Sequence, residues 1–351
     1  MSGKKMARET NAATLKLAML RRLPRRTAAT GQVVWPAMPS LVDHYVKALG
    51  AIFSALGRTF SEAELARVRE IMQSHIEPAF KASPHSTVVV DYYTQAPPST
   101  ALTYTVSHRI ITTADKYDEW VRERKPPLFG AHPDAKVMAL AASLGEPREV
   151  TVLDIGAGTG RNTLPLVRAG FATDAVELAP SLAALLREEI TKEAASVRVF
   201  EGDALDPALE LPRSHYRLIV LAEVVASHFR TTAQIRTLLE HSAAWLAPGG
   251  LLLFSAFLST TGYKPDATAR EMSELMWCCV FTRRELEEAL EGLPYTRVSD
   301  ESVFEFEHEH LDPAAWPPTG WFAEWAQGQD LVDLPAEKSP LELRWLVYKR
   351  S

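Results

Sequence analysis

The stretch Val152-Leu-Asp-Ile-Gly-Ala-Gly-Thr-Gly160 constrains the fold of this chain more than any other. An apolar run ends in an acid and then in a turn with glycine at alternate positions, Gly156, Gly158 and Gly160. Glycine takes positive φ without penalty and lets a ligand approach the backbone with no Cβ in the way. A strand that runs into such a turn and then into a helix is the ligand-binding edge of an open, mostly parallel α/β sheet. The spacing narrows the ligand. A dinucleotide fingerprint has its third glycine one place later, where helix and strand close around a pyrophosphate; here that place holds Arg161. A phosphate-cradling P-loop needs Gly-Lys-Ser/Thr after its glycines, and this turn continues instead as Arg161-Asn162-Thr163.

The segments that follow repeat the strand-then-acid pattern. Asp174-Ala-Val-Glu-Leu178 ends in Glu177, about 20 residues past the glycines, where a carboxylate can accept from two ribose hydroxyls. Ser181 to Ala194 has helical spacing, with Leu182, Leu185 and Leu186 on one side. Val197-Arg-Val-Phe200 leads into Glu201-Gly-Asp-Ala204, and Arg217 to Ala222 is an apolar strand ending at Glu223. Leu246-Ala-Pro-Gly-Gly-Leu-Leu-Leu-Phe254 is a Pro-Gly-Gly turn into a further strand.

This ordered set resembles class I S-adenosylmethionine-dependent methyltransferases over about Val150 to Arg350. The resemblance implies a doubly wound, Rossmann-like α/β domain with a mixed seven-stranded sheet, parallel except for an antiparallel last strand. Strands six and seven fall on Ser302–His310, which alternates strongly, and on Leu341–Tyr348. The implied cofactor is S-adenosylmethionine, held by Asp154, Gly156, Ala157, Gly158, Gly160, Glu177, Leu178, Asp203, Ala204 and Glu223. Asp203 takes the role of the acid that reaches the adenine amino group, and Glu223 lines the pocket near the methionine moiety.

The part before residue 127 lies outside the resemblance. Residues 1–30 form a basic tail, with Lys4, Lys5, Arg8, Lys16, Arg21, Arg22, Arg25 and Arg26 against Glu9. Residues 31–126 read as an N-terminal cap domain over the mouth of the 127–351 sheet. It is mainly helical from 37 to 82, with Ser61 and Glu64 set as a capping box. A β-hairpin follows, Thr87–Tyr93 and Ala101–Thr112 around Pro97-Pro98. Thr113 then caps a helix through Arg124 that Pro126-Pro127 stops, and Pro133 opens another that Gly145 closes.

Composition bounds the function. A formal net charge of −6 over 351 residues lacks the basic excess of a general nucleic-acid binder. Two adjacent cysteines, Cys278 and Cys279, make no disulfide framework and suit a reducing cytoplasm; buried packing beside Met276 and Trp277 is the plain reading of the pair. No apolar run reaches the roughly 20 residues that cross a bilayer.

Methyl transfer from a sulfonium is an in-line displacement in which the protein supplies orientation and, for a hydroxyl nucleophile, a base. After strand four, Glu223-Val-Val-Ala-Ser-His-Phe-Arg230 lacks the Asp/Asn-Pro-Pro-aromatic motif used on exocyclic amino groups. His228 is the candidate catalytic base, since imidazole titrates near neutrality; a packing or substrate-orienting histidine is the other reading. Arg230 suits a substrate carboxylate or phosphate, or a surface position. Tyr92, Tyr93, Tyr117 and Trp120 suit a wall over the substrate or core packing, and 312–340, rich in Trp and Pro, suits a lid or an aromatic cluster at the sheet edge. His308 and His310 share a strand face without a third ligand, and Glu223 stands where a cation-dependent enzyme has aspartates, so no metal is expected. The function expected is O-methylation of a small molecule or modified peptide, as in natural product biosynthesis. An RNA or protein methyltransferase and a cofactor-binding accessory protein without activity remain the alternatives, and a homodimer stays open.

Overall fold

The computed structural model describes residues 8–95, 99 and 101–351. Lys4, Lys5 and the Pro97-Pro98 turn lie outside the described residues. The chain divides into two compact units, Met1–Thr112 and Thr113–Ser351.

In the first unit, strands β1 (Thr30–Pro36), β2 (Thr87–Thr94) and β3 (Leu102–Arg109) form an antiparallel sheet in that order. The β2–β3 pair is the expected hairpin. β1 was not expected; its short Val33-Val34-Trp35 run becomes a strand by pairing with β2 across some fifty-odd residues, Val33 opposite Val90, a contact no local pattern reports. Helices Val42–Ala55 and Glu62–Ala82 carry the apolar residues of this unit's core, where Leu49, Phe53, Met72 and Ile76 meet Val88 and Val90. Ser61 caps the second helix: its N–H donates to Glu64 Oε2 at 2.7 Å, and its hydroxyl accepts from the Glu64 N–H at 3.4 Å. Tyr92 packs against this core, and Tyr93 is exposed. The short helix Ala12–Leu20 buries no residue.

The second unit holds strands β4 (Thr151–Ile155), β5 (Ala172–Glu177), β6 (Arg198–Glu201), β7 (Tyr216–Leu221), β8 (Leu246–Ser259), β9 (Val280–Phe281), β10 (Tyr295–Ser302) and β11 (Leu341–Arg350). The sheet runs β10-β11-β8-β7-β4-β5-β6, with β9 paired to β8 off that path. Neighbours are parallel except β11, which is antiparallel to both β8 and β10. This is the expected α/β class: a mainly parallel Rossmann-like sheet with an antiparallel last strand. Side chains alternate across it with a period of two. On β7, Leu218 and Val220 join the core on one face while Ile219 and Leu221 join the other. The chain goes one way from β4 to β5 and β6, then returns to β7 on the opposite side. That reversal opens a crevice at the carboxyl ends of β4 and β7, where ligands bind in open sheets.

Two expectations are corrected. The unit boundary falls at 112/113 rather than at 126/127. Helix Thr113–Glu123 goes with the sheet because Tyr117 and Val121 pack with Leu128, Ala179 and Leu182. The Ser302–His310 alternation is not strand six. Strand six is β10, just before it, and Val303–His310 is a helix. Ser302 caps that helix by accepting from the Glu305 N–H at 3.3 Å. Phe304 then stacks on His308 and Phe306 on His310, each one turn apart. A Ser-x-x-Glu start outweighed the period-two pattern because side chains four apart share a helix face.

Candidate active site

β4 is buried along Val152–Ile155 and delivers Asp154 to its carboxyl end, 2% exposed. Asp154 Oδ2 accepts from the Thr163 hydroxyl at 2.6 Å. Burial pushes its carboxyl up to about 6, against the opposing pull of that hydrogen bond and of Arg161. The turn that follows uses its glycines in different ways. Gly156 has φ +72°, and a Cβ there would lie 2.3 Å from Val224 Cγ2. Gly160 has φ +95°, and a Cβ would meet Leu186 and Leu164 at 2.8 and 3.0 Å. Gly160 therefore serves the approach of helices to the turn, the packing role a dinucleotide fold gives to a later glycine. Gly158, at φ +56°, faces the Phe129 ring 3.4 Å away.

β5 ends in Glu177, which ties the turn in place. Its Oε2 accepts from the Gly158 N–H at 2.7 Å and its Oε1 from the Ala179 N–H at 2.8 Å. Burial raises this carboxyl, and those backbone donors pull it back. A carboxylate has about four acceptor positions, so these backbone donors leave room for a ligand hydroxyl. Asp203 is exposed; its Oδ1 accepts from the Leu205 N–H at 2.8 Å, fixing the turn after β6.

Glu223, at the end of β7, has φ 63° and ψ −9°, a left-handed backbone rare for a non-glycine residue. Its N–H donates to Ser255 Oγ at 2.9 Å, and its carboxylate accepts from Arg161 Nη2 at 2.8 Å. The same guanidinium reaches both oxygens of Asp134, at 2.6 and 2.9 Å. Asn162 braces Asp134 by accepting from its N–H and donating to its Oδ2. Glu307, on the unexpected helix, accepts from the N–H groups of Ala135 and Lys136 and from the Trp345 indole. Burial and the nearby Asp134 raise the Glu223 and Glu307 carboxyls above the ordinary range.

Across the opening stands an aromatic wall. His228 Nε2 lies 2.7 Å from Tyr117 Oη. Tyr117 meets Trp120 and Phe129 edge-on, and Trp277 closes on both Trp120 and His228 with ring centroids 5.2 and 5.3 Å away. Trp277 is itself left-handed, φ 57°, and its carbonyl accepts from the Trp325 indole at 3.0 Å. Burial, with Glu177 and Glu223 nearby, pushes the Tyr117 phenol well above its usual range, so it keeps its proton.

These groups surround one cavity of about 560 Å³. Of the sequence-predicted residues, Asp154, Gly156, Ala157, Gly158, Glu177 and Leu178 line it. Asp203, Ala204, Glu223 and His228 line it as well, while Gly160 stands behind the turn. Tyr117, Trp120, Trp321 and Trp325 also contribute to the lining. Arg230 does not; it pairs with Glu274 at 2.5 Å. Cys278 and Cys279 are buried free thiols, pushed up by burial. Sequence reasoning missed Asp134, Phe129 and Asp330, took Glu307 only as part of the Ser302–His310 alternation, and used Arg161 only to exclude a dinucleotide. An arginine directly after the last glycine, where a small residue packs best, was the available signal. Among the described residues no group of three or more His, Cys, Asp or Glu is placed to hold a metal ion. Among them, too, no helix is long and apolar enough to cross a membrane.

Residues 118–299 match the family described as "Methyltransferase domain". The chain belongs to that methyltransferase family. The chain is similar to malonyl-[acyl-carrier protein] O-methyltransferase of Halalkalibacterium halodurans, 30% identical over 125 residues. That stretch spans 34% of this chain and 42% of the relative, less than half its length. Among solved structures, geranyl diphosphate C-methyltransferase from Streptomyces coelicolor A3(2) is similar with a TM-score of 0.49 and 15% identity, over 62% of this chain and 79% of that one. The [4+2]-cyclase SpnF is similar with a TM-score of 0.43 and 17% identity, over 62% and 80%.

Proposed function

We propose that S-adenosylmethionine lies along the Gly156–Gly158 backbone and that this methyltransferase acts on a small-molecule or carrier-bound acceptor at oxygen. The observation that carries the reading is that Glu177, Asp203, Glu223, His228 and the glycine turn all border one cavity. The residues suit the cofactor. The free lone pairs of Glu177 match a vicinal diol. Asp203 and Ala204 stand on the next loop for the adenine, and Asp154 and Glu223 flank the remaining end for the methionine moiety. The bare Gly158 backbone allows close approach.

Bound there, the cofactor supplies an electrophilic methyl group; the protein contributes orientation and proton handling. The acceptor hydroxyl sits beside Tyr117. As its oxygen attacks, its proton passes to Tyr117 Oη while the phenol's own proton passes to His228 Nε2. Base assistance of this kind contributes about 10²–10⁴-fold. The aromatic lining excludes water and favours an apolar acceptor body. An O-methyltransferase among the relatives supports oxygen as the acceptor atom. The lining is aromatic and acidic rather than basic, which disfavours an RNA acceptor, since RNA binding rests on phosphate neutralisation.

The test is product mass spectrometry with labelled S-adenosylmethionine and host metabolite extracts. A labelled methyl on a small hydroxyl- or carboxyl-bearing product, free or released from its carrier, supports the reading; label only in RNA or on protein side chains overturns it.

A further inference from the structure

The cavity wall behind the glycine turn carries more buried acid than base. Asp134 and Glu223 share the Arg161 guanidinium, with side chains 3%, 20% and 9% exposed. Asp154 and Glu177 are 2% and 5% exposed on adjacent strands. Glu307 lies behind Asp134, its oxygens held by two backbone N–H groups and the Trp345 indole. The Lys136 ammonium turns away to Glu301, and Arg124, a second guanidinium on the lining, sits over the Trp120 ring of the aromatic wall. The site is therefore short of positive charge.

The two forms of the cofactor differ in that property. S-adenosylmethionine carries a sulfonium; the product is a neutral thioether with the same α-ammonium, α-carboxylate and adenosine. We infer that Glu223 distinguishes the two, giving up a proton when the sulfonium enters the cavity and keeping it when the thioether does. This rests on the reading of the cavity as the cofactor site. Several groups face Glu223. Arg161 comes from the glycine turn, Asp134 from the start of helix Ala135–Ala142, and Tyr117 from helix Thr113–Glu123. Ser255 on β8 holds its backbone, and Glu177 and Glu307 lie one residue further out. Arg161 already spends two bonds on Asp134, so the third bond is the one a change of charge nearby can alter. Burial and the nearby Asp134, opposed by Arg161, raise the unliganded Glu223 carboxyl well above the ordinary carboxylate range, so part of the free protein carries this proton. A cation nearby favours the ionised form, so the sulfonium binds with proton release and gains affinity as pH rises. The thioether has no such gain, and the product leaves a site that takes the proton back.

Isothermal titration calorimetry on the full chain at pH 7, in phosphate and in Tris, gives the protons released from the dependence of enthalpy on buffer ionisation. S-adenosylmethionine should release a fraction of a proton and S-adenosylhomocysteine, whose α-ammonium and α-carboxylate bring no net charge, clearly less. The ratio of their affinities should shift about 3–10-fold toward the sulfonium between pH 6 and 8. Glu223→Gln should remove both differences. Equal release by the two ligands in the wild type overturns the inference without any variant, and a difference that persists in Glu223→Gln overturns the assignment to this residue. Failure of both ligands to bind overturns the cofactor site itself, and the inference with it.

Discussion

The two walls of the cavity are built by opposite means. The glycine wall is local: β4, the turn and β5 lie within Thr151–Glu177, and backbone N–H groups fix the Glu177 carboxylate at 2.7 and 2.8 Å. The aromatic wall is assembled from distant stretches. Tyr117 and Trp120 come from one helix, His228 from the segment after β7, Trp277 from a strained turn, and Trp325 from the segment before β11. A backbone-held surface presents the same face to any ligand of one shape, which suits a constant cofactor. A surface of side chains changes with each substitution, which suits a particular acceptor.

Substitutions should separate the walls. The largest effect is expected at Arg161→Ala, which strands Asp134 and Glu223 without their cation. Breaking such a buried cluster costs about 3–5 kcal/mol, and urea denaturation should show the loss; wild-type stability would mean that the carboxyls are protonated and the cluster is not ionic. Gly158→Val comes next. It puts a branched side chain on a left-handed backbone at the cavity surface, strain alone amounting to about 1–3 kcal/mol. Calorimetry should find cofactor affinity down about 100-fold, and unchanged affinity would remove the turn from the cofactor site.

On the opposite wall, His228→Ala should lower kcat about 10²-fold with cofactor affinity kept. Tyr117→Phe should match it within a few-fold if the proton passes through the phenol. A much smaller loss in Tyr117→Phe would mean direct transfer to His228, and no loss in either would point to an acceptor that is already ionised.

The smallest effect concerns pH. Asp154 rises from an ordinary 3.8 to about 6 on folding. The folded protein then binds the extra proton, so this residue's contribution to stability is full below about 3.8 and is lost as pH rises through about 6. Asp154→Asn keeps an acceptor for Thr163 and should flatten that loss by about 2 kcal/mol between pH 4 and 6.5. An unchanged pH slope would place the titration elsewhere.

What the sequence determined was what a short stretch of backbone can report. The glycine spacing, the acids ending β5 and β7, the capping box at Ser61 and the Pro-Gly-Gly turn at the start of β8 are local patterns with local causes. They sufficed for the sheet and for most of the cavity floor. Only the tertiary structure decided the rest. Val303–His310 alternates like a strand, yet its cap and the stacking of side chains four apart made it a helix that brings Glu307 to Asp134. Arg161 looked like the mere absence of a glycine until Asp134 and Glu223, from separate segments, closed on it. Tyr117 and His228 are 111 residues apart and meet at 2.7 Å. Hydrogen bonds and burial between distant residues leave no periodic trace in a sequence, because their partners are chosen by how the elements pack.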